Sequence, residues 1–189
     1  MGRFDFPEPY AIRLARQSLR DSLMSHGEMS IAFSAFHSSR DEGAERYRCP
    51  HYDDVYKEKR GDGDCQSCYN TGYSRFREIS RVWALFTDST NSEDRTKVGT
   101  YNPAERMVHT EHSPELINGD YIVRVSYWNE TQPLVVEEVY KVGDVQRESM
   151  RTGARFGQAY YDVIGQRFQA TRERSDHALH GFPFKELRL

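Results

Sequence analysis

The sequence predicts a mainly β protein: a small β-barrel or sandwich with an N-terminal helix and an inserted cysteine knuckle. Three observations lead there. Short runs rich in β-branched and aromatic residues recur between turn signals from residue 76 onward. One stretch of helical periodicity stands near the start of the chain. Between the two lie the 3 cysteines of the 189-residue chain, Cys49, Cys65 and Cys68.

Composition narrows the classes. There are 26 Lys plus Arg against 29 Asp plus Glu, for a net charge of -3, and the mean hydropathy is -0.83. The apolar share of 37% is low for a self-sufficient globule, while 13% aromatics is too many for a disordered chain. This balance predicts a folded subunit with a thin core, steadied by a metal or by neighbouring copies. No run approaches the roughly 18 apolar residues of a spanning helix, so no membrane association is expected. Met1-Gly2-Arg3-Phe4-Asp5-Phe6-Pro7 lacks the apolar stretch of a signal peptide. Without secretion, the glycosylation match at Asn129-Glu130-Thr131 is a chance one. A near-neutral charge balance argues against general nucleic-acid affinity.

Residues 1–46 read as an N-terminal helical arm, helical from about residue 8. Ile12, Ala15, Leu19 and Leu23 recur at helical spacing, with Arg13, Arg16, Arg20 and Asp21 filling the other face. Pro9 suits a first helical turn and Gly27 the residue just past a helix end. Such a stripe serves for packing on the rest of the domain or for docking on another subunit.

Residues 47–75 read as the knuckle segment. The two-residue spacer of Cys65-Gln66-Ser67-Cys68 lets a tight turn aim two thiolates at one cation, and Cys49-Pro50-His51 supplies two more ligand atoms. Cys49, His51, Cys65 and Cys68 together make a tetrahedral, structural Zn2+ site, and soft sulfur ligands with no open position argue against a catalytic metal. Gly61-Asp62-Gly63-Asp64 supplies the turn that a zinc-ribbon-like knuckle requires. Tyr52 stands where a commoner first knuckle has its second cysteine, so His51 reaches from one position earlier. A reduced cysteine pair without metal and a redox pair are the other readings; the redox one lacks a strand-then-helix frame. A calcium loop at Asp62 fails because Tyr73 occupies the place of the bidentate glutamate.

Residues 76–189 read as a β-barrel domain with a C-terminal extension. Val82 to Phe86 is a short apolar strand followed by a polar turn from Thr87 to Asp94, and Met107-Val108-His109 is a weaker strand. Asn118-Gly119-Asp120 is a strong turn that launches the strand Tyr121 to Trp128. Val135 to Val142 is another strand, after which Gly143-Asp144 turns the chain. Gln158 to Thr171 reads as two strands broken at Gly165-Gln166.

Catalytic constellations are scarce, and no enzymatic activity is expected. The chain has no nucleophile elbow, P-loop, zincin helix or dinucleotide fingerprint. The pairs His109/His112 and His177/His180 read as surface or packing histidines, having no helical frame or third ligand. Glu137 and Glu138 are adjacent on a predicted strand, point to opposite faces and form no acid/base pair. Arg151, Arg155, Arg167, Arg172 and Arg174, against Asp162 and Glu173, read as salt-bridge and interface charges with a share for passing DNA or an acidic partner.

The order of motifs resembles that of head-closure (stopper) proteins of long-tailed actinobacterial phages. It runs Arg48-Cys49-Pro50-His51, then Cys65-x-x-Cys68-Tyr69-x-Thr71-Gly72, then Val82-Trp83-Ala84-Leu85-Phe86-Thr87-Asp88. Gly119 to Val125, Arg151-Thr152-Gly153 and Ile164-Gly165-Gln166 continue it, so that the resemblance covers roughly residues 47 to 184. It implies a small β-barrel with loop and helix insertions, and a structural role in the virion neck, assembled in the host cytoplasm. The partners implied are further copies of the chain in a ring, the portal and adaptor proteins, tail-terminator or tail-tube proteins, and packaged double-stranded DNA in the channel. The polar loop Thr87–Asp94 would project toward the channel or a neighbour. The alternatives are another neck component (an adaptor or tail terminator), a zinc-ribbon nucleic-acid-binding protein and a metal-dependent hydrolase. The nucleic-acid reading needs a basic surface beside the ribbon, whereas residues 41–64 are rich in Asp and Glu.

Overall fold

The computed structural model describes residues 9–38, 40–53, 58–59, 65–88, 105–155 and 158–189. The Gly61–Asp64 turn and the loop from residue 89 to Asp94 lie outside the described residues. The helix α1 (Tyr10–His26) is followed by the strands β1 (Glu28–Ala35), β2 (Tyr52–Asp53), β3 (Glu58–Lys59), β4 (Phe76–Asp88), β5 (Glu105–Glu111), β6 (Tyr121–Asn129), β7 (Gln132–Arg155) and β8 (Gln158–Arg172). Short 3-10 turns occupy Ala44–Tyr47, Ala178–Gly181 and Phe184–Glu186. The protein is mainly β, as the sequence predicts, and of the two expected architectures it takes the barrel. Six antiparallel strands close in the order β1-β4-β5-β8-β7-β6, with β1 hydrogen-bonded to β6 to shut the ring. No helix among the described residues is long and apolar enough to cross a membrane.

The N-terminal reading needs correction, because residues 1–46 are not a helical arm throughout. The helix stops at His26, and residues 28–35 form the strand that closes the barrel. Glu28 to Ala35 is buried along nearly its whole length, so it lacks the one-sided alternation by which a half-exposed strand is recognised. Ala32, Val82, Ala84, Val108, Ile122, Tyr140, Phe168 and Ala170 come from all six strands and fill the barrel interior. The alternate residues Ile31, Phe33, Tyr121, Val123 and Val139 face outward on β1, β6 and β7, where Leu179 and Phe184 of the C-terminal segment cover them. The barrel therefore has two apolar layers on that side, which is why β1 is buried on both faces.

α1 lies on the barrel with Ile12 and Leu23 buried, and Arg16 Nε and Nη2 donate to the Val163 carbonyl at 2.9 and 2.6 Å. Gly165 gives this helix room: a Cβ there would run into Leu19 Cδ2. Gly165-Gln166 is thus no break, and β8 continues through it as one strand. Gly143-Asp144 is likewise no turn, since β7 runs on with a register irregularity between Val142 and Val145. A Cβ at Gly143 would meet the Gln169 carbonyl at 2.9 Å, so the glycine serves close strand approach. At the helix-to-strand corner, a Cβ on Gly27 would lie 2.6 Å from the Ala84 carbonyl and 2.7 Å from that of Leu23. Both obstacles are backbone and neither can swing away. Gly27→Ala is expected to cost about 1–3 kcal/mol, as overpacking does. Urea unfolding checks this; a midpoint within error of the parent's would contradict the close approach.

One end of the barrel holds an ionic cluster. Arg124 contacts Glu28, Glu137 Oε2 at 3.6 Å and Glu138 Oε2 at 3.3 Å, and Arg172 Nη1 lies 3.0 Å from Glu138 Oε1. The expectation that Glu137 and Glu138 point apart is overturned by a bulge. The register skips Glu137 between the pairs Arg124–Glu138 and Val125–Val136, letting both carboxylates reach one guanidinium. Burial pushes the Glu138 carboxyl up, but the Tyr140 hydroxyl at 2.6 Å together with Arg124 and Arg172 outweighs it and holds the group below its ordinary value. A depressed folded-state value means the contribution is full above the ordinary carboxylate range of about 4.3 and is lost as pH falls through the lower folded value. Glu138→Gln is expected to flatten the fall in stability between about pH 5 and pH 3. Denaturation midpoints across that range test it, and an unaltered slope would remove Glu138 from the acid response.

Candidate metal centre

Two loops beside the barrel are stitched together before any metal is considered. Cys49 N donates to the Gly72 carbonyl at 2.8 Å, Ser74 N donates to the Tyr47 carbonyl at 2.8 Å, and Arg48 bridges Tyr73 in antiparallel fashion. This brings the first loop, which carries Cys49 and His51, against the second, which carries Cys65 and Cys68. The second loop folds on itself where Thr71 N and Thr71 Oγ1 donate to the Cys68 carbonyl at 2.9 and 2.7 Å. Tyr69, Asn70 and Gly72 have φ of 47°, 67° and 82°, the left-handed conformations that turn the chain back sharply. Asn and Gly adopt this region readily, and Asn70 Oδ1 also accepts from Cys65 N at 3.1 Å. Tyr69 is the costly member. Its ring is anchored 5.1 Å from that of Phe182 and 6.0 Å from that of Phe76, within the apolar layer over the barrel.

The result is a compact, buried cluster of three sulfurs. The Sγ atoms of Cys49, Cys65 and Cys68 lie within 4.8 Å of one another, and those of Cys49 and Cys65 are 3.6 Å apart. All three thiols are free. A disulfide would bring two sulfurs to about 2.05 Å, whereas ligands around one tetrahedral zinc at about 2.3 Å stand about 3.8 Å from each other. The observed spacing is too long for a disulfide and compatible with shared coordination, and three close, buried cysteines can hold a metal ion. His51 is exposed at the edge of the cluster, with Nδ1 3.4 Å from Cys49 Sγ. Of the expected ligands, the compact group comprises the three cysteines, and His51 reaches it through Cys49.

Two of the thiols are shifted in opposite directions. Burial raises the Cys65 thiol, but hydrogen bonds from the Cys68 and Ser67 backbone and from the neighbouring thiols outweigh that and lower it to about 6. Burial first, then the hydrogen bond with Cys65, pushes Cys68 up to about 12. Residues next to the ligating loops pack on one another: the Tyr52 and Tyr73 rings lie 5.1 Å apart, and the Arg48 guanidinium sits 4.8 Å over the Tyr52 ring.

Other sequence-predicted features fall elsewhere. Neither histidine pair enters a metal-ligating group among the described residues. His109 Nδ1 lies 3.9 Å from Glu148 Oε1, and His177 Nδ1 accepts from Leu179 N at 3.2 Å. Arg167 donates to Gln146 and Arg172 joins the Glu138 cluster, so this pair of arginines is partly engaged in structural contacts.

Sequence reasoning missed one polar anchor altogether. Asp120 is buried and accepts from Ser34 Oγ at 3.1 Å, Ala35 N at 3.0 Å, Ile117 N at 2.9 Å and Arg40 Nη1 at 2.9 Å. Burial raises its carboxyl above the ordinary value, against the lowering effect of Arg40. Arg40 also reaches Asp41 at 3.2 Å and the Ala35 carbonyl, tying the end of β1 to the loop leading to the knuckle. The Asn118-Gly119-Asp120 signal was legible only as a turn, and Gly119 does take φ 93°. A cleft of about 880 Å3 opens beside this anchor, bordered by Arg40, Thr71, Glu115, Lys141, Glu173 and His177, with both charge signs represented.

Fold and site together define a closed six-stranded antiparallel barrel with a helix on its side and a three-cysteine knuckle. No known family model matches the chain, and no curated protein matches it.

Proposed function

We propose that this chain is a structural subunit of a phage neck, the head-closure protein that sits below portal and adaptor, retains packaged DNA and receives the tail. The observation that carries the reading is the ordered motif series, from Arg48-Cys49-Pro50-His51 to Ile164-Gly165-Gln166, on a chain that folds as a small barrel with helix and loop insertions. The resemblance implies that architecture. The knuckle supports the same reading, since three close, buried cysteines that can hold a metal ion would staple a chain of low apolar content.

In this reading the metal is Zn2+, held by Cys49, Cys65 and Cys68 with His51 as the fourth ligand. Its role is structural: it fixes the two loops and, through Tyr69, the layer over the barrel. The chain assembles as a ring in the host cytoplasm, becomes part of the virion neck, and lines a channel occupied by double-stranded DNA. Portal or adaptor proteins bind on one side and tail-terminator or tail-tube proteins on the other.

Disrupting the gene in the encoding phage tests this. The expected result is free tails and heads that lose their DNA, with capsid and portal assembly normal and complementation by the intact gene. Tailed, infectious particles at parental yield would overturn it.

A further inference from the structure

The cleft beside the Asp120 anchor is lined by polar side chains that the fold leaves unmatched. Most of its charges are paired: Arg40 Nη1 lies 2.9 Å from Asp120 Oδ2, and Arg147 contacts Glu115. Lys141 and Glu173 line the same cleft and make no ion pair among the described residues. Tyr121 lines it too, 3% exposed, and its hydroxyl has no hydrogen-bond partner among the described residues. A buried tyrosine usually finds a partner for that group. Burial, followed by the charges of Glu173, Cys68 and Asp120, pushes the phenol up, so it stays neutral with a proton to donate and a lone pair to offer.

Register sets how these groups are arranged. Lys141 is the cross-strand partner of Tyr121 on one side and of Thr171 on the other. Glu173 follows Thr171 by two residues, and its N donates to the Val139 carbonyl at 2.8 Å, so the ladder continues past Arg172. Tyr121 therefore stands beside Lys141, and Glu173 is the diagonal neighbour of Lys141, about 7–8 Å away between Cα atoms. The walls are fixed by their own bonds. Thr71 Oγ1 donates to the Cys68 carbonyl at 2.7 Å, and the His177 ring, 5.7 Å from that of Tyr121, is held by Leu179 N donating to its Nδ1.

The opening, about 880 Å3, lies in the upper part of the range of ligand clefts and has room for a stretch of chain. An extended segment repeats its side-chain direction every second residue, at roughly 6.6 Å for two rises of about 3.3 Å. That spacing matches the diagonal from Lys141 to Glu173. We propose that the cleft receives an extended segment of a partner protein that carries a lysine and a glutamate two residues apart. The segment's lysine ammonium meets Glu173 and the Tyr121 hydroxyl, and its glutamate carboxylate meets Lys141. Opposed charges on both sides fix the register of such a contact more than its affinity. The inference goes beyond the neck reading and does not depend on it.

A proton–nitrogen NMR titration of the full chain with the capped peptide Ser-Lys-Ser-Glu-Ser tests the site. Shifts are expected to centre on the amides of Thr71, Tyr121, Lys141 and Glu173. Glu173→Gln and Lys141→Met are each expected to weaken binding about tenfold, and Tyr121→Phe about threefold. Tyr121→Phe keeps the ring in the apolar layer, and thermal midpoints of all three variants should stay close to the parent's, which separates lost binding from lost folding. A peptide with Lys and Glu adjacent directs them to opposite sides, and one with Gln for Glu lacks the carboxylate; both are expected to bind about tenfold more weakly. The proposal is overturned if those amides do not shift at the highest soluble peptide concentration, or if the variants bind as the parent does. Equal binding of the adjacent-charge peptide also overturns it. So does free lysine giving the same shifts at the same concentration, which would make the cleft a site for small zwitterions.

Discussion

Elemental mass spectrometry of the purified chain is expected to find one zinc per molecule, and Cys68→Ser to lose the metal together with the fold of the knuckle. Cys68 is fully buried, and its carbonyl receives both donors of Thr71, so its loop is the hinge on which the second half of the site turns. A serine there supplies a hard oxygen with a high pKa in place of a soft thiolate, and two sulfurs then remain. Structural zinc in small sites contributes about 10–16 kcal/mol of apparent binding energy near neutral pH, far more than any single packing contact here. The barrel strands should persist, since their hydrogen bonds run among β1, β4, β5, β8, β7 and β6 and not through the knuckle. Loss should therefore appear in the near-ultraviolet signal of Tyr69, Tyr73 and Phe182 before it appears in the strand signal. A metal-free chain, with the variant equally stable, would remove the site.

Asp120→Ala is expected to be the most damaging single change outside the knuckle. It strips the acceptor from Ser34, Ala35 and Ile117 and leaves the Arg40 guanidinium with Asp41 as its one remaining carboxylate among the described residues. Breaking a buried ion pair by removing one partner costs about 3–5 kcal/mol. For a chain of this size that is a fall in thermal midpoint on the order of 10 °C. Arg40→Ala should cost less, because Asp120 keeps its hydroxyl and two backbone donors when the arginine is gone. The order of the two variants is the decisive measurement. Equal and small losses would show that the anchor carries no weight.

Much of the site was legible because its chemistry is local. A two-residue spacer between cysteines reports a turn, and the third cysteine needs only a second loop to meet it. Asp120 was illegible for the opposite reason: its partners Ser34, Ala35 and Arg40 stand about eighty residues away, and a buried aspartate following Asn-Gly reads as ordinary turn chemistry. The strands of the barrel announced themselves wherever one face stayed polar. β1 did not, because Leu179 and Phe184 cover the face that would otherwise have shown alternation. Gly143 and Gly165 misled in another way. Glycine marks a chain break and a close approach with the same letter, and only the neighbours (the Gln169 carbonyl, the Leu19 side chain) decide between them.

The closing position of β1 also bears on how the chain reaches its native state. β1 is the first strand made, yet its partners are β4 and β6, and the β6 pairing joins Phe33 to Tyr121. Until β6 has emerged from the ribosome, Ile31, Ala32 and Phe33 have neither their second strand neighbour nor, still later, the C-terminal cover. Closure across so long a separation in sequence makes folding slow compared with a protein of local contacts. Until β6 pairs with it, this largely buried strand keeps an open edge, and nascent or truncated chains ending before Asn129 present that segment to one another.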